Sequence, residues 1–117
     1  MNTNEEEKPL KIYLDDERKT PDGFRRTYTV SETIQLLMIN NGKVHTLSLD
    51  NDLGIGVREG REVMKWIEEQ AYFNTLKPIP YLIIHTDNPV AENDMMASRY
   101  NAWKYWNGHG YKKQDFI

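Results

Sequence analysis

The chain has 117 residues, which is enough for one domain with a substantial hydrophobic core, and its formal net charge is −3. It has no cysteine, which excludes disulfides, thiolate metal sites and a cysteine nucleophile and agrees with a cytoplasmic location. The negative charge argues against duplex nucleic acid as a partner. No apolar run reaches the roughly 18 residues that a membrane span needs.

The first eight residues are acidic and polar, unlike a signal peptide, and predict a disordered tail. The remaining residues, 9–117, show neither an internal repeat nor a second change in composition. We therefore expect a single domain there.

Strand-like and helix-like segments alternate along the chain, which predicts an α/β fold with a mainly parallel sheet. The predicted strands are Leu10–Leu14, a short edge strand over residues 26–29, Val44–Leu49 and Tyr81–Ile84. Thr29 and Glu32 can form a capping box at the start of the first helix, which ends near Asn40. A second helix is predicted from Glu59 to about Tyr72.

The last helix is predicted to follow Asn88, with Pro89 in its first turn, and to run to about Trp106. We expect Met96, Tyr100 and Trp103 to point inward from it. The aromatic residues of this helix are interpreted as core rather than as a surface for stacking on a base. The segment from Asn107 to Ile117 has no clear assignment.

Three predicted strands end in polar residues that can carry chemistry. Asp15 and Asp16 follow the first strand, Asp50 and Asp52 follow Val44–Leu49, and residues 85–88 (His-Thr-Asp-Asn) follow Tyr81–Ile84. Ligands of open α/β sheets bind outside the carboxyl ends of the strands. We therefore expect the three strand ends to converge on one site.

The carboxylates of Asp15, Asp16 and Asp50 predict a metal site. Three carboxylates in one pocket repel each other unless a cation lies among them. Mg²⁺, or Mn²⁺ in its place, is the expected cation because it prefers hard oxygen ligands and leaves positions open for a phosphate oxygen. The alternative is structural: the two adjacent acids only cap a turn and pair with Arg18.

His85 has two interpretations, either a general acid/base or phosphate contact, or a polar end to an apolar strand. Arg18 can clamp a phosphate through two parallel hydrogen bonds. Thr86 and Asn88 can donate hydrogen bonds to a phosphate, although Asn88 is equally suited to capping the last helix. His45 and His109 are expected to be surface residues.

An acidic pair after the first strand and an aspartate after a central strand resemble the receiver domains of response regulators. The resemblance implies a compact, flavodoxin-like three-layer sandwich, in which the acidic pair holds Mg²⁺ and Asp50 accepts a phosphoryl group. His85 or Thr86 lies where receivers carry a serine or threonine. This chain departs from the pattern, because it has no room for the first crossover helix and no final strand ending in lysine.

A narrower resemblance accounts for these departures. Three motifs resemble the cyclic-phosphate-processing receiver-like domains of bacteria and phages: Leu-Asp-Asp-Glu-Arg from Leu14, Leu-Ser-Leu-Asp-Asn-Asp-Leu-Gly from Leu47, and Ile-His-Thr-Asp-Asn-Pro from Ile84. This resemblance implies action on a cyclic phosphate of a nucleotide or an RNA end.

The resemblance implies metal-dependent hydrolysis in which Asp15, Asp16 and Asp50 hold the ion. Asp52 or His85 then orients or deprotonates water or protonates the leaving oxygen, or Asp50 is a covalent nucleophile. Two non-enzymatic alternatives are a signalling receiver phosphorylated on Asp50 and a protein that sequesters a cyclic nucleotide. The expected partner is a small phosphorylated ligand or an RNA terminus, not a membrane, with homodimerisation left open.

Overall fold

The sheet of this computed structural model, which describes residues 9–112 and 115–116, has four parallel strands in the order β2-β1-β3-β4. The strands are β1 (Leu10–Leu14), β2 (Arg25–Thr27), β3 (Val44–Leu49) and β4 (Tyr81–Ile84). Three strands have the predicted bounds, and β2 begins one residue earlier and ends two residues earlier than predicted. The predicted tail over residues 1–8 lies outside the described residues, so the domain start at residue 9 stays a prediction.

The three helices are α1 (Val30–Ile39), α2 (Arg61–Phe73) and α3 (Pro89–Gly108). Each follows a strand, and no helix lies between β1 and β2 in the described chain. The receiver-like α/β fold and its missing first crossover helix are therefore confirmed. None of these three helices is both long and apolar enough to cross a bilayer.

Side-chain caps fix the starts of α1 and α3 as predicted. The hydroxyl of Thr29 accepts the Glu32 N–H at 3.2 Å, and the Glu32 carboxylate accepts the Tyr28 N–H at 3.0 Å. The side-chain oxygen of Asn88 accepts two backbone N–H groups of the first turn of α3, each at 3.1 Å. These bonds satisfy donors that a helix start leaves unpaired.

The hydrophobic core lies on one face of the sheet. Right-handed crossovers that step across the sheet in the same direction, from β2 to β3 and from β3 to β4, place α1 and α2 on the same face. Buried residues of all three helices join the inward residues of the strands in one cluster, which includes Ile12, Leu14, Leu47, Leu49, Met64, Met95 and Trp106. Alternate strand residues, such as Tyr13 and Ser48, point to the other face.

The inward face of α3 differs from the prediction. Met96 is 45% exposed and Tyr100 is 63% exposed, while Trp103 is only partly buried. The buried positions are instead Ala91, Met95, Ser98, Ala102 and Trp106. Several of these side chains are small or polar. The larger aromatic residues of α3 recur at a similar spacing, so the sequence pattern favoured them as the buried face.

Among the described residues of the unassigned C-terminal segment, Phe116 belongs to the core and Tyr111 packs against it. Phe116 is 6% exposed, and its ring lies 5.9 Å from that of Trp106. Residues 113, 114 and 117 lie outside the described chain.

Candidate metal centre

The carboxyl ends of β1 and β3 bring three carboxylates together. Asp15, Asp16 and Asp50 each offer one ligand oxygen, and these oxygens lie within 4.8 Å of one another. The backbone N–H of Asp50 donates to the Leu14 carbonyl at 3.0 Å, which locks the two strand ends side by side. The parallel register therefore produces the predicted cluster, and this group of acids could hold a metal ion.

Asp15 is the most buried member, with 1% of its surface exposed. Burial alone would raise the pKa of its carboxyl, but hydrogen bonds from the backbone N–H groups of Glu17 and Arg18 and from His85 lower it. The two backbone bonds reach Oδ1 at 2.8 and 2.9 Å. Asp15 is thus held as an ionised carboxylate at the base of the site.

Asp50 experiences the opposite effect. Burial, followed by the negative charge of Asp15, raises the pKa of Asp50 above its usual value, although hydrogen bonds from the backbone N–H groups of Asn51 and Asp52 partly offset the rise. A cation bound between these carboxylates would offset the repulsion between their negative charges and favour the ionised form of Asp50.

Both ring nitrogens of His85 are hydrogen-bonded within the protein. Its Nε2 lies 2.9 Å from Asp15 Oδ2, and its Nδ1 lies 2.7 Å from the Ser48 hydroxyl. The ring also stacks on Tyr13, with centroids 4.6 Å apart and planes 2° apart. While these two bonds are kept, neither ring nitrogen of His85 is left to contact a ligand.

Arg18 connects the loops that follow β1 and β4. Its guanidinium donates to the His85 carbonyl and to the Asp87 carboxylate, both at 2.9 Å. No role was predicted for Asp87. Its hydrogen bond to the guanidinium is the main reason why the pKa of Arg18 is raised. A phosphate clamped by Arg18 would therefore compete with this carboxylate.

Asn51 organises the loop that carries Asp52. Its side-chain amide donates to the carboxylates of Asp52 and Glu59 at 3.1 Å each, and its side-chain oxygen accepts the Arg61 N–H at 3.0 Å. Asn51 is fully buried, whereas Asp52 is exposed. This arrangement ties the loop to the start of α2 and leaves Asp52 facing solvent.

A glycine makes the approach of α2 to the site feasible. A Cβ added at Gly60 would lie 1.7 Å from the carbonyl oxygen of Asp50. The Gly60 N–H donates to the Asn51 carbonyl at 2.8 Å. Any side chain at this position would push α2 away from the end of β3.

An open pocket of about 430 Å³ lies above the carboxylates. Its lining includes five of the predicted site residues, namely Asp15, Asp16, Arg18, Asp50 and Asp52, together with Glu17, Gly54, Ile55 and Asp87. Among the residues that the structure describes, the lining therefore has six carboxylates and a single guanidinium. His85, Thr86 and Asn88 are not among the residues that line it.

Thr86 and Asn88 lie beside the site, with part of their hydrogen-bonding capacity in use. The Thr86 hydroxyl oxygen accepts the Asn88 N–H at 3.2 Å, and the side-chain oxygen of Asn88 caps α3. The Thr86 O–H and the Asn88 side-chain NH₂ are the donors that these contacts do not use.

The remaining histidines lie outside the pocket lining. His45 is half-buried and its Nδ1 lies 2.7 Å from the Thr46 hydroxyl, so it is less exposed than predicted. His109 is exposed, as predicted, and its Nε2 lies 2.9 Å from the Tyr72 carbonyl.

Sequence reasoning missed several residues that shape the site, including Tyr13, Ser48, Asn51 and Gly60. A signal for the first two was present. Ser48 precedes Asp50 by two residues, and Tyr13 precedes Asp15 by two, so strand periodicity places each pair on the same face. Nothing in the sequence indicated that only a glycine fits at position 60.

These features define a receiver-like α/β domain with an acidic cluster at the carboxyl ends of its parallel strands. A sequence model of the cyclic-phosphate processing receiver domain matches residues 10–101, and the chain belongs to that family. Neither the curated proteins nor the solved structures gave a significant match.

Proposed function

We propose that this protein is a metal-dependent phosphoesterase that acts on a cyclic phosphate of a nucleotide or an RNA end. The observation that carries the proposal is the charge of the pocket, to which the described part of the chain contributes six carboxylates and one guanidinium. Such a pocket repels a phosphate unless a cation neutralises part of its charge. Membership in the cyclic-phosphate processing family supplies the substrate class.

The donor set fits a hard divalent cation. Asp15, Asp16 and Asp50 would hold it, since carboxylate oxygens are the ligands that Mg²⁺ and Mn²⁺ prefer. When bound, such an ion would polarise a phosphoryl oxygen and neutralise the negative charge that develops on the phosphate during hydrolysis. The volume of the pocket is within the range of small-molecule sites, which is about 300–1,000 Å³.

Three side chains of the protein take the other proposed roles in hydrolysis. The Asp52 carboxylate, held by Asn51, orients a water and accepts its proton as the water oxygen bonds to phosphorus, and this proton passes to the leaving oxygen as the P–O bond of the ring breaks. Arg18 contacts the substrate phosphate by exchanging its Asp87 bond for a phosphate oxygen. His85 acts through Asp15, because both of its ring nitrogens are already bonded.

Thr86 and Asn88 complete the proposed phosphate contacts through the Thr86 O–H and the Asn88 side-chain NH₂. They are proposed as outer contacts because they do not line the pocket in this structure. A ligand that extends toward the start of α3 would reach them.

A substrate panel tests the proposal. The 2′,3′-cyclic, 3′,5′-cyclic and 1″,2″-cyclic phosphate compounds are incubated with Mg²⁺, with Mn²⁺ and with EDTA, and products are resolved by chromatography. We expect metal-dependent opening of at least one ring and a loss of about 10²-fold or more in Asp50→Asn, because a direct metal ligand is removed. Turnover unchanged in Asp50→Asn or in EDTA would contradict the mechanism.

Two further measurements separate the non-enzymatic alternatives. Incubation with acetyl phosphate and Mg²⁺ followed by mass spectrometry should leave Asp50 without a stable phosphoryl group. A stable adduct would favour a signalling receiver instead. A cyclic nucleotide that raises the melting temperature and is recovered intact would favour a sequestering protein.

A further inference from the structure

The side chain of His85 is held on three sides by residues of the neighbouring strands. Ser48 on β3 lies 2.7 Å from Nδ1, Asp15 after β1 lies 2.9 Å from Nε2, and Tyr13 on β1 stacks on the ring. Ser48 is itself 5% exposed and Asp15 is 1% exposed. The two hydrogen bonds form a continuous line, Ser48–His85–Asp15, that ends on the acidic cluster, with the His85 side chain 13% exposed between two buried residues.

The direction of the hydrogen bonds along this line follows from the acceptor at its end. An ionised carboxylate only accepts, so His85 Nε2 must carry the hydrogen that Asp15 Oδ2 receives. In a neutral imidazole, Nδ1 then has no hydrogen and must accept one. The Ser48 hydroxyl, 2.7 Å away, is the donor in that form, and its oxygen is the acceptor when both ring nitrogens carry hydrogen, so the contact holds in either case.

We propose that Ser48 is a positioning residue for the metal centre. It anchors Nδ1 of His85, and His85 in turn fixes the Asp15 carboxylate with one oxygen within 4.8 Å of the oxygens of Asp16 and Asp50. This inference rests on the proposed function, because it assigns Ser48 a part in metal binding. Outer groups that orient ligating carboxylates contribute to metal affinity through such bonds.

The same strand offers a matched control for Ser48. Thr46 lies two residues earlier on the same face of β3, is also 5% exposed, and has its hydroxyl 2.7 Å from a histidine nitrogen, that of His45. That histidine has no described contact with the acidic cluster. Thr46→Val therefore removes an equally buried hydroxyl–histidine bond without touching the Ser48–His85–Asp15 line.

Metal affinity tests the proposal directly. Mn²⁺ binding is measured by isothermal titration calorimetry in the full chain and in Ser48→Ala, Ser48→Thr and Thr46→Val. We expect Ser48→Ala to weaken the Mn²⁺ Kd about tenfold, the lower end of the usual effect of an outer partner. Ser48→Thr keeps the hydroxyl and should restore the affinity to within about twofold, and Thr46→Val should match the unaltered chain.

The outcomes distinguish this inference from the proposed function. If the unaltered chain binds Mn²⁺ and Ser48→Ala binds it equally well, only the role of Ser48 is overturned. If the unaltered chain binds no Mn²⁺, the proposed metal-dependent function is overturned and the role of Ser48 in metal binding with it. Equal weakening in Ser48→Ala and Thr46→Val would mean a general effect on the sheet and would also overturn the role.

A second measurement needs no metal. Long-range ¹H–¹⁵N NMR of the metal-free, unaltered chain reports which nitrogen of His85 carries the hydrogen. We expect a hydrogen on Nε2, the nitrogen that faces Asp15, and an Nδ1 resonance that reports a hydrogen bond to Ser48. In Ser48→Ala this resonance should move toward that of a nitrogen that accepts no bond. A ring with hydrogen on Nδ1 and none on Nε2 could not donate to Asp15 and would overturn the proposal.

Discussion

Asp50, which we propose as a metal ligand, lowers the stability of the metal-free fold. Burial and the charge of Asp15 raise the pKa of Asp50, so the Asp50 carboxyl binds a proton more readily in the folded protein than in the unfolded chain. The stability associated with that proton is present at low pH and is lost as the pH rises through the raised pKa. At neutral pH without metal, the ionised Asp50 is therefore destabilising.

Asp50→Asn should raise the melting temperature of the metal-free protein at pH 7 by roughly 2–5 °C, since it removes this repulsion. Differential scanning calorimetry in EDTA measures the change. Asp22→Asn removes the same charge from an exposed turn and is expected to leave the melting temperature unchanged. A lower melting temperature for Asp50→Asn would contradict the assigned repulsion.

Gly60 is a residue whose importance is steric. A Cβ at this position would lie 1.7 Å from the Asp50 carbonyl oxygen, so the start of α2 would have to move away from β3. Gly60→Ala should lower the free energy of unfolding by roughly 3 kcal/mol, as overpacking against backbone does. Urea denaturation measures the loss.

Gly108→Ala is the control for this substitution. Gly108 lies near the end of α3 with open space around its Cβ position, so alanine there should be neutral or slightly stabilising. A loss of the same size in both variants would contradict the steric explanation at Gly60.

At the scale of elements, α3 depends on a residue that is also proposed to contact phosphate. Asn88 caps α3 through its side-chain oxygen and leaves its NH₂ group for a ligand. Asn88→Ala should cost about 1 kcal/mol of stability through loss of the cap. Asn88→Asp keeps the capping oxygen but replaces the NH₂ group with a negative charge.

We therefore expect Asn88→Asp to retain the unfolding free energy of the unaltered chain and to raise the KM for a cyclic phosphate. Urea denaturation and steady-state kinetics, compared across the two variants, separate the two roles. An unchanged KM in Asn88→Asp would restrict Asn88 to capping α3.

At the scale of the whole molecule, a metal ion bound to the acidic cluster would couple metal binding to folding. A cation that binds the assembled cluster, and not the unfolded chain, stabilises the fold by mass action, by about 2.7 kcal/mol at one hundred times its Kd. Mg²⁺ or Mn²⁺ should therefore raise the melting temperature in a concentration-dependent way. Asp22→Asn should keep this response and Asp50→Asn should lose most of it. No response up to millimolar metal in the unaltered chain would contradict a metal centre.

The sequence by itself determined the elements of the fold and the members of the acidic cluster. Apolar runs that end at polar residues predicted β1, β3 and β4, and capping residues predicted the starts of α1 and α3. Both kinds of signal depend only on residues that are close in the chain. Parallel strands with a common direction bring their carboxyl ends to one edge, so convergence of Asp15 and Asp50 followed from topology.

Only the tertiary structure decided what the surrounding side chains do. The partners of His85 are 37 and 70 residues away in the chain, and no local pattern predicts which of its nitrogens each will contact. The same applies to the inward face of α3, where Met95 and Ala102 pack inside while Tyr100 faces solvent, and to the contact that requires Gly60. Such contacts depend on the packing of distant segments, which short-range periodicity does not record.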